Sequence, residues 1–145
     1  MDARFFYREA AVRGASAVQL VILLYEQAIE DVRRALAALH RCDIETRTRE
    51  INHALKVIGE LQGSLNMDLG GTVAGNLQRF YNQVRTGLIE AHAKQSARLL
   101  EEQISLLVDL REVWAEVERT NVAVAARVTE QTSSATETSS SDWSA

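Results

Sequence analysis

Apolar residues recur along this chain in four runs at helical spacing, separated by short polar or glycine-containing breaks. In the first run Val18, Ile22, Tyr25, Ile29, Val32, Leu36 and Leu39 alternate steps of four and three, which draws one seam along a helix. Ser16, just ahead of it, is a good N-capping type. The second run opens at Asp43, another capping type, and Ile44, Ile51, Ile58 and Leu65 recur every seventh residue, with Leu55 and Leu61 widening the face. The stretch 66–71 (Asn-Met-Asp-Leu-Gly-Gly) interrupts the pattern, and Thr72 can cap the next helix. The third run places Val73, Leu77, Phe80, Val84, Leu88 and Ala91 on one stripe, with Tyr81 and Ile89 beside it. After a weak break at 93–96, the fourth carries Leu99, Leu100, Ile104, Leu107, Leu110, Trp114 and Val117. Connections this short favour antiparallel neighbours. The pattern therefore predicts an all-α, antiparallel up-down four-helix bundle over residues 16–119.

One part of the pattern does not fit a self-contained bundle. At roughly 100° per residue, the first seam centres between Tyr25 and Val32. Leu20 and Leu23 fall well off that face, whereas later turns of the same helix turn Glu26, Glu30, Arg33 and Arg34 outward as a solvated face should. The first two turns are thus apolar nearly all round, and something must cover them. The N-terminal arm, residues 1–15, supplies Phe5, Phe6, Tyr7 and Val12 as one cover; a partner helix is the other.

Composition narrows the function classes. The chain has 145 residues, enough for one domain, and no proline, so long helices can run unbroken. Its net charge of −4, with basic and acidic residues interleaved, speaks against nucleic acid and anionic lipid as partners. Cys42 is the only cysteine, so no internal disulfide forms, and no Cys/His spacing suggests zinc. The N-terminus lacks the apolar stretch of a signal peptide, and the most apolar run, Val18 to Tyr25, is too short to span a bilayer. A cytosolic location without membrane insertion is expected. Past Arg119, Val122 to Val128 can prolong the last helix for a turn or two, whereas Thr132 to Ser144 is mostly Ser, Thr, Asp and Glu, so residues 120–145 are expected to form a largely disordered tail.

Candidate chemistry is sparse. His53-Ala54-Leu55-Lys56, with Gly63 further on, resembles the motif of histidine phosphotransfer domains, which are also four-helix bundles, and His53 is expected to face outward. That family has a small residue after the lysine where Val57 stands here. Glu50-x-x-His53 has the spacing of one half of a di-iron carboxylate site, but no second such pair exists. No nucleophile elbow or glycine-rich phosphate loop is present, so the chain is read as a binding protein without catalytic residues, cofactor or metal.

A resemblance sharpens this reading. Tyr7-x4-Val12, Ala15-Ser16 and Leu20-Val21-Ile22-Leu23-Leu24-Tyr25-Glu26-x-Ala28-Ile29 are similar to the N-terminal signature of the FliS family of flagellar secretion chaperones. The likeness continues through Ala54-x-x-Val57-Ile58-x-Glu60-Leu61, Ser64-Leu65-Asn66, Gly70-Gly71 and Asn76-Leu77-x-x-Phe80-Tyr81 to Leu110-Arg111-x-x-Trp114. It covers about residues 5–118. Ala17 stands where the family usually has proline, and the tail has no counterpart. The resemblance implies a cytosolic chaperone that binds the C-terminal segment of flagellin, keeps it from polymerising and delivers it to the flagellar type III export apparatus. It implies a flagellin-binding groove, for which Leu20, Leu23, Leu24, Leu61, Leu69, Leu77, Tyr81 and Val84 are the expected lining, and a groove-capping arm carrying Phe5, Phe6, Tyr7 and Val12. The export gate and other flagellar regulators are further implied partners, and a homodimer formed through the same groove is left open.

Overall fold

Helix α1 (Ala17–His40) starts directly after Ser16. The Ser16 hydroxyl accepts from the Gln19 N–H at 3.1 Å, and the Gln19 side chain accepts from the Ser16 N–H at 2.8 Å. This reciprocal capping box satisfies two of the donors that a helix start leaves open. The structure is a computed structural model; it describes the backbone of residues 16–65 and 67–141, and the side chains of 16–65, 71–120, 127, 128 and 130. Helix α2 (Ile44–Gly63) is capped by Asp43, which accepts from the Thr46 N–H and hydroxyl at 3.1 and 2.7 Å. Helix α4 (Ala97–Ser141) follows Ser96, whose hydroxyl accepts from the Leu99 N–H at 3.2 Å.

The interruption expected over 66–71 is narrower than the sequence suggests. Helix α3 (Met67–Lys94) begins at Met67 and bends at Gly71, whose φ of 54° and ψ of −131° are not helical, so regular helix resumes at Thr72. The other two connections are alike. Cys42 closes α1 at φ 58°, with the Asp43 N–H donating to the Ala38 carbonyl at 2.9 Å; Gln95 closes α3 at φ 51°, with the Ser96 N–H donating to the Ala91 carbonyl at 3.0 Å. Each is a left-handed helix stop followed at once by the next N-cap, made here without the usual glycine.

The four helices pack in a ring, α1 against α2 and α4, and α3 against α2 and α4. Seam residues from every run close the centre: Tyr25, Ile29 and Val32, then Ile51, Ile58 and Leu61, then Val84 and Leu88, then Leu100 and Leu107. Ala28, Ala35, Ala54 and Ala91 are buried among them and let the helices approach closely. Three stripe residues depart from the predicted core: Ile44, Val73 and Val117 are exposed. Ile44 is the first residue of α2 and Val73 follows the bend in α3, so the seam there has run past its neighbours. Residues 120–141, where a disordered tail is expected, continue α4 as helix. No described side chain beyond Trp114 joins the core, and Arg127, Val128 and Glu130 are exposed.

Candidate functional site

Among the described residues, the bundle is closed in the middle and least covered at one end. There, Val18, Leu20, Val21, Ile22 and Leu23 in the opening turns of α1 are all half-buried. The Ser16 hydroxyl donates to Glu118 Oε2 at 3.1 Å, which sets these turns beside the 114–118 stretch of α4. On the other flank Gly87 of α3 lies against the Gln103 side chain of α4. Val73 precedes Gly87 by as many residues as Val117 follows Gln103, so in an antiparallel pair the two valines share a level. Val73, Val113 and Val117 are 66, 56 and 38% exposed. Half-covered leucines on α1 and open valines on α3 and α4 therefore gather at the same end. Single exposed apolar residues are ordinary, but a gathered set is the kind of surface another chain covers.

Of the expected groove lining, Leu20 and Leu23 lie on this end, and Leu77 is half-buried one helical turn beyond Val73. Leu24, Leu61, Tyr81 and Val84 are core residues, 2, 1, 1 and 0% exposed. Leu24 and Tyr81 lie beside the seam positions on which the sequence pattern centres, and the closely packed alanines bring those flanks inside. The Leu69 side chain and the arm residues Phe5, Phe6, Tyr7 and Val12 lie outside the described residues. Val113 is not among the expected lining; its signal is an apolar residue one step off the Leu110–Trp114 stripe, next to Val117 by one turn.

His53 is not the outward-facing surface histidine that the spacing suggests. Its ring is half-buried, and Nδ1 lies 2.5 Å from Oδ2 of Asp31 on α1, while Gln27 Nε2 donates to the other Asp31 oxygen at 2.9 Å. Asp31 is 1% exposed. Burial pushes its carboxyl up from the ordinary value, and the His53 and Gln27 hydrogen bonds pull against that shift. The pair clasps α1 to α2. The sequence does carry a sign of it, because Asp31 sits within the Ala28–Val32–Ala35 flank where a charge needs a partner. His53 also borders a shallow concavity with Thr48, Arg49, Asn52 and Lys56. Among the described residues no group of three or more His, Cys, Asp or Glu side chains could hold a metal.

A second polar pair crosses the core. The Tyr25 hydroxyl donates to the Tyr81 hydroxyl at 2.9 Å, joining α1 to α3 diagonally. Burial first, then Tyr81, pushes the Tyr25 phenol far up, so it stays a neutral hydrogen-bonding group, and the Trp114 indole beside it opposes the shift slightly. No hydrogen-bond geometry is met by Trp114 Nε1, which is buried and unpaired, as is Gln103 Oε1. A buried polar atom left without a partner costs stability, whereas the Tyr25–Tyr81 bond fixes how α1 and α3 sit against each other. These groups offer no nucleophile–base arrangement.

A family model described as "Flagellar protein FliS" matches residues 2–121. The chain is 33% identical over 106 residues to the flagellar secretion chaperone FliSB of Pseudomonas aeruginosa, covering 73% of this chain and 84% of that protein. It is 29% identical over 110 residues to the flagellar secretion chaperone FliS of Salmonella typhimurium, covering 75% of this chain and 82% of the relative. With the flagellar secretion chaperone FliS of Bacillus subtilis the identity is 24% over 108 residues, covering 74 and 80%.

Proposed function

This chain belongs to the FliS family of flagellar proteins, and from that premise we propose that it chaperones flagellin by holding its C-terminal segment on the incompletely covered end of the bundle. The observation that carries the reading is the gathering of Leu20 and Leu23 with Val73, Val113 and Val117 at that end. An amphipathic segment binds such a surface by laying its apolar face on it, and each apolar Å² removed from water contributes about 25 cal/mol. Ordering the segment offsets roughly 2–5 kcal/mol of that gain. The complex is then tight enough to prevent polymerisation yet separable at the type III export apparatus, where the guest is handed on. Among the described residues no helix is long and apolar enough to cross a membrane, which fits work in the cytosol. In the guest-free protein the arm around Tyr7, or a second copy of the chain, covers the same surface.

The test is co-purification and calorimetry with flagellin carrying or lacking its C-terminal segment. Intact flagellin should bind and the truncated form should not. The double substitution Leu20→Glu, Leu23→Glu, on half-buried positions, should leave the helical content intact and weaken binding at least tenfold. A folded double variant with full affinity would overturn the reading.

A further inference from the structure

Helix α4 outruns the bundle it helps to build. Among the described residues Trp114 is the last to pack on the core, yet α4 continues to Ser141, about 40 Å farther. Helices draw most of their stability from packing an amphipathic face, and the serines and threonines after Gln131 have modest helix propensity. A projecting helix of this length is therefore stabilised by whatever lies against it. The family match ends at residue 121, so most of the projection lies outside the matched region.

The projection carries a face suited to another helix. Val113, Val117 and Val128 are 56, 38 and 56% exposed. At about 100° per residue, Val113 and Val128 fall within about 40° of Val117, whereas Glu116, Glu118, Arg119, Arg127 and Glu130 lie at least about 80° away. Val117, Asn121, Val124, Val128, Gln131 and Ala135 follow one another along that face in alternating steps of four and three, the seam of a coiled coil. The seam is self-complementary in one register. With two copies of α4 antiparallel about a two-fold axis at position 126, Val124 meets Val128, Val117 meets Ala135 and Asn121 meets Gln131. Apolar positions then face apolar ones, and amide faces amide. A slip of one heptad in either direction sets an amide against a valine and leaves a polar group unpaired. Chain length fits the same register. Ala135 of one copy reaches Val117 of the other, next to the last core residue, and α4 stops at Ser141, within about two turns. One pairing is unfavourable: the exposed Arg127 side chains of the two copies flank the axis.

We propose that two copies of this chain associate tail to tail, with residues 117–135 of α4 forming an antiparallel two-stranded coil and the two bundles at its opposite ends. The same patch serves both copies, so the contact closes on itself and gives a dimer rather than a fibre. The association is independent of flagellin binding except at Val117, which belongs to both surfaces, so a guest and a second copy compete there.

Sedimentation equilibrium of the full chain from about 1 to 100 µM measures the association. Val124→Glu together with Val128→Glu, both beyond the core, should raise the dissociation constant at least about tenfold, while thermal unfolding of the bundle stays as in the parent. The parent dimer should tighten with added salt, which screens the Arg127 pair, and Arg127→Gln should tighten it at low salt and abolish that dependence. Orientation is read by cross-linking under oxidised glutathione in a Cys42→Ser background. Asn121→Cys with Gln131→Cys should give a disulfide-linked dimer, whereas Gln131→Cys alone should not. A full chain that is monomeric throughout, its stripe then left to the arm or to the guest, overturns the proposal. So does a dimer that the two glutamates leave intact, because the copies then meet through another face. Linkage through Gln131→Cys alone would mean parallel tails, which also overturns the assignment.

Discussion

Gly87 separates α3 from α4 by a margin that can be tested. A Cβ built there would run into Nε2 and Cδ of Gln103 and lie 2.7 Å from its Oε1, closer than an unshifted neighbour tolerates. These atoms are the far end of a flexible side chain, but Gln103 is 5% exposed, so a displaced amide must be repacked within the bundle. Two terms then compete in Gly87→Ala. Relief of glycine's backbone entropy within a helix stabilises by about 1 kcal/mol. Overpacking costs about 1–3 kcal/mol. The net expectation is a variant between unchanged and about 2 kcal/mol less stable. In a Gln103→Ala background the obstruction is gone, and the same substitution should stabilise by about 1 kcal/mol. The cycle of four proteins, followed by urea unfolding with far-UV circular dichroism, should therefore give a coupling of about 1–3 kcal/mol. Equal stabilisation by Gly87→Ala in both backgrounds would refute the close approach, and with it the α3–α4 level on which the gathering of Val73 and Val117 depends.

Asp31 predicts a pH signature. Its folded carboxyl is raised above the ordinary 3.8, so its favourable contribution is complete below that value and is lost as pH rises through the folded one. Asp31→Asn keeps a hydrogen-bonding side chain without the charge, so it should gain stability relative to the parent as pH rises above about 4. Thermal melts of both proteins across the acid range check this, and a parent that gains on the variant with rising pH would contradict it. At the bend of α3, Gly71→Ala meets no neighbour within 4 Å, so any cost is that of forcing an L-residue to φ 54° and ψ −131°, about 1–3 kcal/mol. Gly75→Ala, equally open, is the control and should stabilise by up to about 1 kcal/mol; matching effects at the two sites would remove the argument for a bend.

The helices and two of their caps are legible because Ser16 and Asp43 each precede an apolar run of helical period, whereas Ser96 is hidden in the weak break before the fourth run. A turn or two of helix past Arg119 is legible in Val122 to Val128, but its continuation to Ser141 is not, because Ser and Thr lower helix propensity without stopping a helix. Leu20 and Leu23 are identifiable as surplus because an angular argument needs only one helix. Whether Leu24, Leu61, Tyr81 or Val84 faces a groove cannot be read the same way. Their burial depends on how near a second helix comes, and small alanines on that second helix decide it. Arg47 and Gln103 escape notice for a related reason. A charged or amide residue at a flank position looks solvated until the helix opposite it is known.

The two left-handed stops at Cys42 and Gln95 fall at the same pole of the molecule, which gives it a direction. Each joins a pair of helices through a few tightly hydrogen-bonded residues, so the protein is built as two tongs riveted at their bases and lying side by side. The tips of both tongs lie at the opposite pole, where the chain crosses from α2 to α3 near the Gly71 bend. Prising the tips apart disturbs only the last layer of contacts, while the rivets stay shut. On the binding reading proposed above, a guest at that pole docks at the end farthest from the rivets, so its departure leaves the base that holds each pair of helices together.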